Sequence, residues 1–190
     1  MKIFVSVGTT EFKPLTDSLT SGKSAELLQE HQIIVQYGTA EPQQYGKNTE
    51  VFAFTREISK YIENADLVIS HAAAGTRLDV IAKLKPHLMV CNDTLAGNHQ
   101  MEMVNANLQN KSCRVFENTA AFERYLETVN LQSECIEMVK NVTCEAKDAT
   151  IFTQMIDDLR RKKTSSGTTK IIAVVGLLIF VTSKLAQITK

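Results

Sequence analysis

Asp66 to Gln100 reads DLVISHAAAGTRLDVIAKLKPHLMVCNDTLAGNHQ, and this stretch decides the fold. It begins with an apolar run that predicts a buried strand. The run breaks at Ser70 and His71 into a small-residue turn ending at Gly75. An amphipathic helix follows, with Leu78, Ile81 and Ala82 on one face. A second buried strand, Pro86 to Cys91, leaves through Asn92 and Asp93 into a loop closed by Asn98, His99 and Gln100. Two consecutive strand ends thereby deliver polar residues to one edge of a parallel sheet, the edge at which open α/β sheets bind ligands.

Working outward, Lys2 to Val7 reads as a first strand ended by Gly8, with Thr9 and Thr10 opening a loop. Pro14 suits an early helix position, with Leu15 and Leu19 one turn apart, and Gly22 interrupts that helix. Further elements are a helix at Ser24–Gln29, strands at Ile33–Tyr37 and Val51–Phe54, and a helix at Arg56–Ala65. After the Asn98 loop come a helix at Met101–Leu108 and a strand at Cys113–Phe116. The alternation predicts an α/β fold, a Rossmann-like parallel sheet with helices on both faces.

From Ser133 to Leu159, apolar residues fall at Cys135, Val139, Val142, Ala146, Ala149, Phe152, Ile156 and Leu159. That spacing predicts one long amphipathic helix or two shorter ones, packed on the sheet or on a partner. A basic block, Arg160–Lys163, and a linker, Thr164–Thr169, precede the apolar run Ile171–Thr182. Twelve helical residues span only about 18 Å of a ~30 Å hydrocarbon core, and extension to Ile188 with Lys184 snorkelling reaches about 27 Å. The tail is read as direct membrane contact through 171–188; a helix buried against a partner or lying on the bilayer is the other reading. The chain therefore divides into a binding domain (1–132), a C-terminal helical region (133–163), and a linker with an apolar tail (164–190).

The 21 lysines and arginines balance the 21 aspartates and glutamates, so no net charge recommends a nucleic-acid partner. Cys91, Cys113, Cys135 and Cys144 lack C-x-x-C spacing and sit in apolar periods, as free thiols in a reducing compartment do. The amino terminus reads as a strand and not as a secretory signal, and the N-x-[ST] sequons at Asn92, Asn110 and Asn141 are taken as chance.

The turn His71–Gly75 is the candidate anion site. Small residues allow close backbone approach, and the helix starting near Thr76 offers free N–H groups and a positive dipole end to a phosphate. Thr76 adds a hydroxyl, and Asp79 can accept two hydrogen bonds from a ribose. Ala72, Ala73 and Ala74 serve equally well for close helix–sheet packing. Gly8, Thr9 and Thr10 are either turn chemistry or two hydroxyls beside the phosphate. Asn98 suits a helix N-cap, Gln100 suits vicinal sugar hydroxyls, and His99 fits a structural or a functional role. No G-x-G-x-x-G, P-loop or G-x-S-x-G occurs, the histidines at 31, 71, 87 and 99 lack metal-ligand spacing, and there is no D-x-D. No cofactor and no metal is expected.

With these residues in place, DLVISHAAAGTRLDVIAKLKP, CNDTLAGNHQ and FVSVGTT resemble the donor-binding catalytic subunit of the eukaryotic dolichol-pathway UDP-N-acetylglucosamine transferase. That family is the detached C-terminal half of a GT-B glycosyltransferase, and the resemblance covers roughly residues 1 to 130. Its pattern S-H-A-G-A-G-S-x-x-E reads here Ser70, His71, Ala72, Ala73, Ala74, Gly75, Thr76, Arg77, Leu78, Asp79. Its N-E is Asn92 and Asp93, its N-H-Q is intact at Asn98, His99 and Gln100, and its G-K-P is Leu84, Lys85, Pro86.

The resemblance implies donor-binding roles for Gly8, Thr9, Thr10, His71, Ala74, Gly75, Thr76, Asp79, Asn92, Asn98, His99 and Gln100. It implies inverting β1,4 transfer from UDP-N-acetylglucosamine to N-acetylglucosaminyl-diphosphodolichol on the cytosolic face of the endoplasmic reticulum. A membrane-anchored, acceptor-binding partner subunit is implied with it, and the catalytic base is assigned to no residue of this chain. The substitutions at 73, 79 and 84 motivate an alternative: a non-catalytic paralogue that binds the partner or a nucleotide sugar without turnover.

Overall fold

A computed structural model describes residues 1–95 and 99–161, the side chains of His99 and of 148–161 excepted. The chain divides into two compact units, Met1–Ala146 and Lys147–Lys190. The apolar tail lies outside the described residues. Among those described, no helix is long and apolar enough to cross a membrane.

The first unit is built on six strands: β1 (Lys2–Ser6), β2 (Gln32–Gln36), β3 (Thr49–Phe52), β4 (Leu67–His71), β5 (His87–Val90) and β6 (Cys113–Phe116). All pair in parallel, in the order β3-β2-β1-β4-β5-β6. This is the strand order of a Rossmann-like sheet, and the expected fold class is the one observed. The central strands are apolar on both sides because both faces are covered. Ile3, Val5, Ile69 and Leu88 meet α1 (Lys13–Ser18), α2 (Gly22–Leu28), α6 (Thr119–Thr128) and the start of α7 (Leu131–Arg161) in one core. On the other face Phe4, Ile34 and Val68 pack against α3 (Ile58–Asn64) and α4 (Ala74–Ala82), and Met89 and Cys113 against α5 (His99–Asn107).

Several boundaries differ from the sequence reading. The strand expected to break at Ser70 runs through His71, and α4 starts at Ala74 instead of near Thr76. Alanine is the best helix former, so the helix extends back into the alanines. The buried stripe of α4 is Arg77 and Val80; Leu78 is 67% exposed and Ala82 is exposed too. Arg77 enters the stripe because a carboxylate meets it there, and a charge at that position hides the true period from sequence patterning. Helix α6 was not anticipated. Asn118 caps it, its Oδ1 accepting the Ala121 amide at 2.9 Å, and Phe122 and Leu126 bury its inner face. In α7 the inward residues are Cys135, Met138 and Val142, whereas Val139 is 40% exposed. Strand β3 ends at Phe52 and leaves Phe54 outside, its register set by β2 at an edge where burial imposes little. The four cysteines are free, but Cys144 is exposed and not part of a buried period.

Candidate functional site

Strand β1 is paired with β2 on one side and β4 on the other, and the chain leaves β1 and β4 toward opposite faces of the sheet, into α1 and α4. The two exits diverge and open a crevice between Ser6–Gly8 and Ser70–Ala72, at the topological switch point.

Gly8 and His71 form its floor. Gly8 has φ +78°, and a Cβ there would lie 2.6 Å from Cε1 of His71, so only glycine lets the imidazole lie under this loop. Nδ1 of His71 donates to the Ser6 carbonyl at 3.4 Å, and burial pushes the imidazole below its usual pKa, leaving it neutral with Nε2 free to accept. The loop is braced from below: Ser6 Oγ donates to Gln36 Oε1 at 2.8 Å and accepts the Gly8 amide at 3.3 Å. Gly38, at φ +65°, faces the Thr10 carbonyl so closely that a Cβ would stand 2.2 Å from that oxygen. Thr9 and Thr10 are thereby held exposed at the crevice mouth. Ser6 and Gln36 were not singled out by sequence, and Gly38 only as the end of the strand Ile33–Tyr37. A glutamine and a serine ending apolar strands were the available signal.

Opposite stands the first turn of α4. Ala73 is its N-cap, at φ −112° and ψ 135°, without a side-chain cap. That backbone is open to any residue, so alanine fits where the related pattern has glycine. The Arg77 amide closes the turn on the Ala73 carbonyl at 3.0 Å, and the amides of Ala74, Gly75 and Thr76 have no acceptor one turn back. A Cβ at Gly75 would meet nothing within 4 Å. No contact among the described residues demands glycine there, although it costs a helix about 1 kcal/mol relative to alanine. Thr76 is half-buried and Asp79 exposed on the next turn.

The loop after β5 contributes differently from expectation. Asn92 is buried, its Nδ2 donating to the Glu11 carbonyl at 2.9 Å and its Oδ1 accepting from the Thr94 hydroxyl at 2.7 Å. It ties the two loops together, its Oδ1 filled by the Thr94 amide and hydroxyl and one Nδ2 hydrogen left to donate. Gln100 Oε1 accepts the Asn92 amide at 2.8 Å, so the carbonyl end is committed and only its amide nitrogen remains to donate. Asn98 lies outside the described residues, and His99 is described only as the first residue of α5.

Beneath α4 lies a buried polar group. Nη2 of Arg77 pairs with Glu145 Oε2 at 2.6 Å and donates to the Ser112 hydroxyl. His87, wholly buried in β5, meets Ser70 Oγ at 2.9 Å through Nε2, and Ser70 Oγ donates to the His71 carbonyl at 2.8 Å. That donation fixes the proton on His87 Nε2. Burial above all, with the Arg77 charge, holds its pKa far below the usual imidazole value.

The glycosyltransferase family 28 C-terminal domain matches residues 2–155. This chain belongs to that family. Related to this family 28 chain is a Homo sapiens protein named UDP-N-acetylglucosamine transferase subunit ALG13, 34% identical over 109 residues, which are 53% of this chain and 10% of the human protein. A protein of the same name from Cryptococcus neoformans is 28% identical over 142 residues, covering 55% of this chain and 71% of the relative. The family 28 chain thus spans about a tenth of the length of its human relative. Among solved structures, Acinetobacter baumannii MurG superposes with a TM-score of 0.57 at 18% identity, over 74% of this chain and 44% of MurG. The fold is the Rossmann-like half of a GT-B glycosyltransferase.

Proposed function

We propose that this chain is the donor-binding catalytic subunit of a transferase that moves N-acetylglucosamine from UDP-N-acetylglucosamine to N-acetylglucosaminyl-diphosphodolichol. It does so with inversion, forming a β1,4 linkage, as the second step of lipid-linked oligosaccharide assembly on the cytosolic face of the endoplasmic reticulum. The single observation that carries this reading is the uncapped first turn of α4, with Gly75 open above it, facing the glycine-held Thr9–Thr10 loop across the switch point. The relatives named as UDP-N-acetylglucosamine transferase subunits support the choice of donor.

In this mechanism the amides of Ala74 to Thr76 and the hydroxyls of Thr76, Thr9 and Thr10 receive the diphosphate. Charge grows on it as the sugar departs, and fixed donors aimed there lower the barrier without reorganising. Gly8 and His71 keep the floor in place, with Nε2 of His71 free to accept a hydrogen bond. The Asp79 carboxylate holds the ribose hydroxyls, the Gln100 amide holds the sugar, and Asn92, Asn98 and His99 are assigned to donor binding. Proton abstraction from the acceptor falls to a membrane-anchored partner subunit. The domain plan that accompanies this mechanism assigns donor binding to 1–132, a packing or partner-facing helix to 133–163, and membrane contact to the tail through 171–188.

The test is co-expression with such a membrane subunit, then assay of transfer from UDP-N-acetylglucosamine to the lipid diphosphate acceptor in the recovered membranes. Turnover by the pair but by neither chain alone is expected, with at least about a tenfold loss for Asp79→Ala. A pair that assembles and binds the nucleotide sugar without turnover would establish the non-catalytic paralogue instead. Recovery of the chain in membranes lacking the partner separates anchoring by the tail from recruitment.

A further inference from the structure

Arg77 is an odd residue to find 3% exposed, and its partners all lie on other elements. Ser112 precedes β6 and accepts from Nη2; Glu145 lies on α7, its Oε2 2.6 Å from the same nitrogen. Glu145 is in turn fixed. Asn110 Nδ2 donates to Oε1 at 3.1 Å, the Ser112 hydroxyl donates to Oε2, and Asn110 Oδ1 accepts the Ser112 amide at 2.8 Å. The carboxylate is therefore held by groups from two places outside α7. The backbone of the same arginine closes the turn that presents the amides of Ala74, Gly75 and Thr76.

An apolar side chain of similar volume would fill this space with no desolvation penalty, so packing does not explain a buried ion pair. Directionality does. Hydrogen bonds of this kind weaken steeply with displacement or tilt, whereas apolar contacts let helices slide. The helix α7 begins on the opposite face of the sheet, where Arg114 pairs with Glu134 and Cys135 and Met138 join the core. By Glu145 it has reached the face that carries α4. It spans the fold from one layer to the other and terminates this span on Arg77.

We propose that Arg77 is a positioning residue for the diphosphate-binding turn of α4 and that Glu145 of α7 is its anchor, so that the placement of α7 sets the affinity of the turn for a nucleoside diphosphate. This rests on the donor-site reading above. Neither residue touches the ligand; they fix where three amides point.

The experiment titrates the full chain with UDP and, separately, with uridine, following amide shifts by NMR well below each variant's thermal midpoint. Glu145→Ala is expected to weaken UDP by up to about tenfold while changing uridine less than about twofold, since only the diphosphate meets the turn. Glu145→Gln, which keeps the shape and loses the charge, should fall between. Should Glu145→Ala not fold, Arg77→Lys retains the charge on a shorter side chain that no longer brings a donor to where Nη2 meets both Ser112 and Glu145, and the same selective loss is expected. If the unaltered chain binds UDP and the variants bind it equally well, the positioning role is wrong while the donor site stands. Equal losses for UDP and uridine would mean general damage and also overturn it. If the unaltered chain binds neither ligand, the donor reading falls and takes this one with it.

Discussion

Leu84 carries the one left-handed backbone among the described non-glycine residues, with φ 55°. It follows the C-cap of α4, its amide bonded to Ile81 and that of Lys85 to Val80, in the turn where helices ordinarily place glycine. The G-K-P of the resembling family supplies glycine there; this chain supplies an exposed leucine. Leu84→Gly should raise stability by about 1 kcal/mol, because relief of the Cβ clash outweighs the added freedom of the unfolded chain. Urea midpoints at constant slope would show it, and an unchanged midpoint would remove the argument from strain. At this scale legibility followed chemistry. Gly8 and Gly38 were readable as strand ends, but not as seats for His71 and the Thr10 carbonyl, because those contacts come from distant segments. Arg77 drew no reading of its own and His87 only a place in a buried strand, since nothing near them in sequence announces Glu145 or Ser70.

The element on which most depends is α4. Gly75 weakens it for no reason found among the described residues, so Gly75→Ala makes two opposed predictions. Stability should rise by roughly 0.5–1 kcal/mol through helix propensity, while UDP affinity falls because a methyl group enters the space a phosphate needs. Thermal denaturation and nucleotide titration of the same variant read the two signs, and a variant that gains stability and keeps its affinity would move the ligand elsewhere. The sequence indicated this helix, because an apolar strand followed by small residues and a 3.6-residue period reads as strand, turn and helix. It misplaced the inward stripe by one residue, since Leu78, Ile81 and Ala82 make as regular a period as Arg77, Val80 and Ile81. It missed α6 altogether, although Asn118 with Phe122 and Leu126 behind it was a usable signal. For Asn92 and Gln100 it singled out the residues but neither the bond from the Asn92 amide to Gln100 nor that from Asn92 Nδ2 to the Glu11 carbonyl, which depends on how two loops meet.

For the whole molecule, imidazoles whose pKa burial lowers set the response to acid, His87 foremost, with His71 and His31 shifted the same way. In the unfolded chain they take up protons near pH 6.5, while in the native fold burial keeps His87 and, less strongly, His71 unprotonated. The unfolded state then binds more protons, so stability is full above about pH 6.5 and declines as pH falls below it. The slope approaches about 1.4 kcal/mol per pH unit from His87, with a smaller addition from half-buried His71. Urea melts between pH 7.5 and 5 should show this slope, and His87→Gln should flatten it; a flat profile in the unaltered chain would refute the assignment. The sheet was legible because four of its six strands are buried runs bounded by glycine, proline or polar residues. Only edge strand β3, where no face is fully covered, drifted by two residues.

The strand order also governs when the ligand crevice comes into being. β1 leaves the ribosome first and can align with β2 and then β3 as they emerge, since these neighbours follow directly. Its other edge must stay unsatisfied until β4 is synthesised, and the crevice has no second wall before then. The half-made protein therefore presents a central apolar strand with one open edge, the kind of surface that chaperones shield, and any arrest of translation before β4 leaves a product prone to aggregate.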